Sequence, residues 1–207
     1  MSSNRLALLV GAIVFLAAAG FAQKNEFSAT FGRTFVSTQT IVNSTAPDPT
    51  IHFGADETIG LNYSRWLKRW GGFGLSGEVP IAFVIDQDIH TFQNVAPENY
   101  KALFIAPGAR MNFFAGDSVS PWVSAGGGYG RFKEAGHLVF FGPNPGNTGT
   151  NTGVFQFGAG LDIFPWERWG IRFEFRDFYS GLPQLNVDTG RSRQHNYYVG
   201  GGFVRRF

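Results

Sequence analysis

The sequence predicts an all-β chain: eight antiparallel strands in up-and-down order, closed into a transmembrane β-barrel. Three observations carry this. Apolar and polar residues alternate with period two, the alternating segments are short, and the links between them alternate between short and long. Period two marks strands with two differently solvated faces. Segments of about ten residues are what a tilted strand needs to cross a bilayer. Tight turns at one end and long loops at the other are the pattern of a membrane barrel.

The chain opens on an address. Arg5 supplies a positive start, Leu6 to Ala19 are apolar, and Gly20-Phe21-Ala22 offers a small-x-small cleavage site. These are the three parts of a secretory signal. A retained helix would want about 20 apolar residues, and Gln23 and Lys24 end this stretch early. Residues 1–22 are therefore expected to be a cleaved signal peptide, and 23–207 the barrel domain.

The strands follow in order. Phe27, Ala29 and Phe31 interleave with Ser28, Thr30 and Gly32, and Ile59, Leu61 and Tyr63 with Thr58, Gly60 and Asn62. Phe73, Leu75, Gly77 and Val79 interleave with Gly74, Ser76 and Glu78, and Leu103 to Phe113 continues the pattern around Arg110 and Asn112. Val123, Ala125 and Tyr129 begin the second half, followed by Phe155 to Ile163, Ile171 to Phe175 and Tyr197 to Phe207. Eight is even, as closed bacterial barrels require. Short links are expected near 64–71, 114–121 and 165–170, and long polar ones near 36–56, 86–100, 133–152 and 180–194.

All five tryptophans, Trp66, Trp70, Trp122, Trp166 and Trp169, lie in or beside the short turns. Trp favours the headgroup layer, where its ring is in an apolar zone and its N–H stays wet. The expectation is an aromatic girdle at the turn end. Arg33 shares the outward parity of Phe27, Phe31 and Phe35, so it should reach the opposite headgroup layer, where its charge can snorkel.

Composition excludes several classes. Cysteine is absent, so there is no disulfide framework, zinc–thiolate site or thiol nucleophile. Net charge is +2 with no extended basic run, which leaves a nucleic-acid partner unsupported. Aromatic residues make up 16% of the chain and charged residues 15%, the reverse of a disordered composition.

The signal, the eight alternating segments and the terminal Phe207 together resemble the small outer-membrane β-barrel superfamily, of the OmpA/OmpX-like eight-stranded kind. The resemblance is architectural and spans the expected barrel domain. It implies the outer membrane of a Gram-negative cell envelope, surrounding outer-membrane lipid, a monomeric state and no cofactor. It also implies handling by periplasmic chaperones and the barrel-assembly machinery. Val199, Phe203 and Phe207 fit the terminal signal that this machinery reads, while Arg205 departs from it.

Motif matches are weak by comparison. Gly72-Phe73-Gly74-Leu75-Ser76-Gly77 fits G-x-G-x-x-G but lies within one alternating segment, without the strand–turn–helix context of a dinucleotide site. Asp86-Gln87-Asp88-Ile89-His90 has no second ligand cluster, so no metal site is expected. None of the four histidines has Ser two places on, as the lipid A deacylase barrels require; a rim pair of His52 or His90 with Asp48, Asp56, Asp86 or Asp88 stays open.

Polar chemistry concentrates on the inward parity. Glu78, Arg110, Asp162, Arg172, Glu174 and Arg176 share it, three acids and three bases. An eight-stranded barrel is just wide enough to be filled by side chains, and unpaired buried charge is costly. A paired network that plugs the lumen is the expectation. No catalytic residues are assigned. The function expected is a structural scaffold presenting surface loops for envelope or surface interactions. A narrow conduit for a small solute is the alternative, with a lipid-modifying barrel enzyme behind it.

Overall fold

The computed structural model describes residues 25–207, so the expected signal peptide and cleavage site lie outside the described residues. The described residues form eleven strands: β1 (Asn25–Val36), β2 (Gln39–Thr40), β3 (Thr50–Phe53), β4 (Ala55–Trp70), β5 (Phe73–Thr91), β6 (Asn99–Ile105), β7 (Gly108–Phe113), β8 (Val119–Glu134), β9 (Thr150–Ile163), β10 (Trp169–Gly181) and β11 (Arg193–Arg206). β6 and β7 are two halves of one barrel strand, both pairing with β5 and β8. With them counted as one, eight antiparallel strands form the ring. β11 closes it on β1, from Glu26 opposite Arg206 to Val36 opposite Asn196. Among the described residues there is no helix.

Pro107 makes the break between β6 and β7. Proline has no N–H to give to a ladder, so the neighbours bridge the gap: Ala106 N–H donates to Pro80 O (3.1 Å) and Gly127 N–H to Pro107 O (3.1 Å). The β4–β5 turn is two residues long, with Gly71 at φ 55°, the left-handed conformation that tight hairpins ask for. A register shift between Trp66 and Lys68 just before it leaves Leu67 as a bulge.

The solvation of the two faces is inverted relative to a water-soluble domain. Phe31, Phe157, Phe173, Val199 and Phe203 are among the large apolar side chains exposed on the outside, whereas Ser28, Asn62, Glu78, Arg110 and Arg172 are buried within. Contiguous exposed apolar surface on this scale marks contact with lipid. Backbone polar groups are paired around a closed ring, which is what a hydrocarbon environment demands.

All four long links are shorter than the sequence suggests. β5 runs on to Thr91 and β8 to Glu134, and β3 pairs with the end of β5 (Ile51 opposite Thr91, His52 opposite His90, Phe53 opposite Ile89). The hairpins continue past the apolar belt because Ile41, Ile51 and Ile89 bury into a shared core there. Along the barrel axis that core gives the lumen two storeys. The turn half is charged. The loop half holds an aromatic cluster, with Phe104 stacked on Phe178 (5.1 Å, 12°) and edge-on to Phe132 (5.7 Å), beside the hydrogen-bonded Gln39, Gln194 and Asn196.

Candidate functional site

Six buried charges were expected in the lumen, and the structure places all six there. β10 supplies Arg172, Glu174 and Arg176 at alternate positions, one face of the strand. Arg172 grips Asp162, its register partner on β9, through Nε and Nη2, both at 2.7 Å, and donates to Ser28 Oγ (2.9 Å). Such a fork-on-carboxylate pair is the geometry guanidinium is built for. Arg176 reaches Glu78 on β5 (2.9 and 3.4 Å) and Glu174 two residues back (2.9 Å). Asn62 donates to Glu78 (2.9 Å) and Thr30 to Glu174 (2.7 Å), satisfying the remaining carboxylate oxygens.

Two further members complete the set. Glu26 accepts from Arg110 and from Arg206 Nε (2.9 Å) and lies 3.8 Å from Arg172. The turn half of the lumen thus balances Glu26, Glu78, Asp162 and Glu174 against Arg110, Arg172, Arg176 and Arg206. Both additions sit on inward parity, Glu26 two residues before Ser28 and Arg206 two after Val204. Parity was the signal that would have found them.

Two tryptophans leave the expected girdle. Trp122 is 1% exposed and Trp66 is 7% exposed; both point into the barrel. Trp122 lies between the buried Ser120 and Ser124, and Trp66 follows the buried Ser64, so alternation turns each ring inward although each is near a turn. Trp122 donates Nε1–H to Asp162 (3.2 Å), and the guanidinium carbons of Arg110, Arg172 and Arg176 lie 5.7, 5.2 and 4.9 Å from its ring centre. One indole is therefore shared by three cations through its π face. Trp70, Trp166 and Trp169 remain exposed at the turn end, and Arg205, the departure from the terminal pattern, stacks over Trp169 at 5.2 Å.

At the C-terminus Val199 and Phe203 face outward, and Phe207 exchanges two backbone bonds with Asn25 (2.9 and 3.0 Å), sealing the ring. Arg33 is exposed on the outer wall, 3.8 Å from Glu57. The rim pairs left open in the sequence do not form direct contacts: His52 bonds Thr50 (2.9 Å) and Thr38 (3.2 Å). Asp48 takes its bonds from Thr50, which hold its carboxyl below the usual range. The His–Asp contact the structure does contain is His195 with Asp177 (2.6 Å), its ring stacked on Tyr197 and leaning on Tyr179.

The loops interlock above the aromatic cluster. Val42 N–H donates to Asp188 O (2.8 Å), Val139 N–H to Ala96 O (3.1 Å), and Asn186 joins Asn144 (2.7 Å) to Val95 (3.3 Å). Asn94 clamps the next loop from both ends of its amide, accepting from Phe140 N–H (3.0 Å) and donating to Phe141 O (2.8 Å). The result leaves Phe92, Phe140 and Phe141 exposed on the crown, Phe141 at 75%. Within the link expected to be polar, 133–152, Leu138 to Phe141 form an apolar run.

No family model matches the chain, and no curated protein matches it. Solved structures do. The chain is similar to the outer membrane protein AlkL in lipid bilayers (TM-score 0.54, 14% identity, 92% of this chain and 93% of that one). It is similar also to the outer membrane protein OprG from Pseudomonas aeruginosa (0.51, 13%, 89% and 97%) and to Neisserial surface protein A (0.50, 11%, 88% and 97%). At these identities the likeness is one of fold.

Proposed function

We propose that this chain, which has the fold of the small eight-stranded outer-membrane barrels, stands in a bacterial outer membrane as a closed monomeric scaffold that presents a structured loop crown. The crown carries the reading. Its loops are cross-braced by backbone and amide hydrogen bonds, yet Phe92, Phe140 and Phe141 stay exposed at its surface. Holding aromatic side chains in water is unfavourable unless something covers them. A surface that accepts three aromatic rings, on another envelope component or a contacted cell, is the partner chemistry this supports.

The filled lumen favours scaffold over conduit. A solute would have to displace both the Phe104–Phe132–Phe178 cluster and the paired charges below it. The His195–Asp177 pair is read as part of the outer wall, held between tyrosines, so no catalytic role is assigned.

Gel mobility with and without boiling, combined with protease treatment of intact cells, tests the proposal. A closed barrel should migrate differently before and after boiling, and cleavage should fall within the loop crown on intact cells. Identical mobility would contradict the closed barrel. Cleavage only after the outer membrane is opened would contradict the outward-facing crown.

A further inference from the structure

On the outer wall, where the 135–149 loop overhangs the barrel, a cavity of about 590 Å³ is lined by Phe83, Leu103, Lys101, Arg131, Lys133 and Thr148. We propose that it binds the phosphate headgroup of a membrane lipid, an inference that rests on the membrane-barrel reading above.

The register creates the site. Lys101 on β6 stands directly opposite Lys133 on β8, and Arg131 stands opposite Leu103 one step nearer the turn end. Like charges directly opposite on a sheet repel and destabilise it. Among the described residues, no ion pair within 4.0 Å involves any of the three. Asp86 on β5 feels Lys101 but does not pair with it. Three exposed cations held together with no carboxylate within 4.0 Å fit a multivalent anion.

The level along the barrel selects a lipid. Arg131 lies twelve residues from Val119, where β8 leaves the turn end. At ~3.3 Å per residue and a tilt near 40°, that is about 30 Å along the axis, just beyond an apolar band of about 25 Å. Level with Arg131 and one step below the Lys101–Lys133 pair the wall is Leu103 and Phe83, and the exposed Tyr129 follows toward the turn end, a ledge suited to an acyl chain. An anion over an apolar ledge at headgroup depth is the shape of a phosphate-bearing lipid.

Native mass spectrometry of the barrel in non-ionic detergent decides it, with dioleoyl phosphatidic acid, dioleoylglycerol and inorganic phosphate as probes. Wild type should retain one phosphatidic acid and release dioleoylglycerol. K101Q/R131Q/K133Q should bind about a hundredfold more weakly, at about fivefold per charge, whereas R65Q/K68Q at the turn end should bind as wild type does. K133Q alone, which leaves the rest of the wall intact, should lose about fivefold. Undiminished retention by K101Q/R131Q/K133Q and by K133Q would overturn the site. Equal retention of dioleoylglycerol would reduce it to an apolar ledge, and displacement by equimolar inorganic phosphate would make it a free-anion site; either overturns the proposal. Heat-dependent gel mobility separates the two levels. A folded wild-type barrel that keeps no phosphatidic acid sinks the lipid site alone; a wild type that never forms a barrel sinks the membrane reading with it.

Discussion

Replacing Arg176 with methionine should be the most damaging single change in the lumen. Arg176 is the cation within 4.0 Å of both Glu78 and Glu174, and both carboxylates are buried. Orphaning one partner of a buried ion pair costs about 3–5 kcal/mol. Here two are orphaned at once, which places Arg176→Met at the upper end, ~5 kcal/mol. Arg172→Met should cost less, ~3 kcal/mol, because Asp162 keeps Arg110 at 4.0 Å and the indole N–H of Trp122, and Glu26 keeps Arg110 and Arg206. Neutralising the stranded acids in Arg176→Met/Glu78→Gln/Glu174→Gln should recover most of the loss. Urea unfolding in lipid vesicles, followed by tryptophan emission and by gel mobility, measures all three. The reasoning is refuted if Arg176→Met lies within ~1 kcal/mol of wild type, or if Arg172→Met is the costlier change.

Three further outcomes follow from the same geometry. Phe104→Ala removes the ring stacked on Phe178 and edge-on to Phe132 and should cost ~3–5 kcal/mol in the same unfolding assay; a loss below ~1 kcal/mol would show that the aromatic cluster is loosely packed. Gly160→Ala would place a methyl in the Trp122 ring and 2.5 Å from Phe173 O, whereas Gly153→Ala meets nothing within 4 Å. The first should lower the unfolding midpoint clearly and the second should not, so equal midpoints would place Trp122 elsewhere. Arg33→Ala breaks only an exposed 3.8 Å pair with Glu57. It should change stability by no more than ~0.5 kcal/mol, and a larger loss would put that guanidinium in a buried role.

The ring itself was legible because period two, strand length and loop asymmetry are local properties. In the tryptophans, strand alternation overrides nearness to a turn. Nearness to a turn suggested a girdle for all five, but the buried neighbours Ser120 and Ser124 fix which way Trp122 points, and alternation was already visible. Glu26 and Arg206 were readable in the same way. The partners of each charge were not, because which residues meet across the lumen depends on the stagger of strands around the ring. The aromatic cluster was hidden for a different reason. Tyr100 to Ile105 is apolar at most positions on both faces, so parity alone does not separate Phe104, which is buried, from Leu103, which lines the outer wall. The crown was missed because its hydrogen bonds join residues far apart in sequence, such as Asn94 with Phe141 and Gln39 with Gln194.

Planar-bilayer recording on the refolded, heat-modifiable protein tests the central claim, a barrel closed by its own side chains, most directly. The paired charges and the aromatic cluster above them should leave no steady current in wild type. A stable open conductance in wild type, unchanged in Arg176→Met and Phe104→Ala, would contradict the closed scaffold and make the conduit the function to pursue.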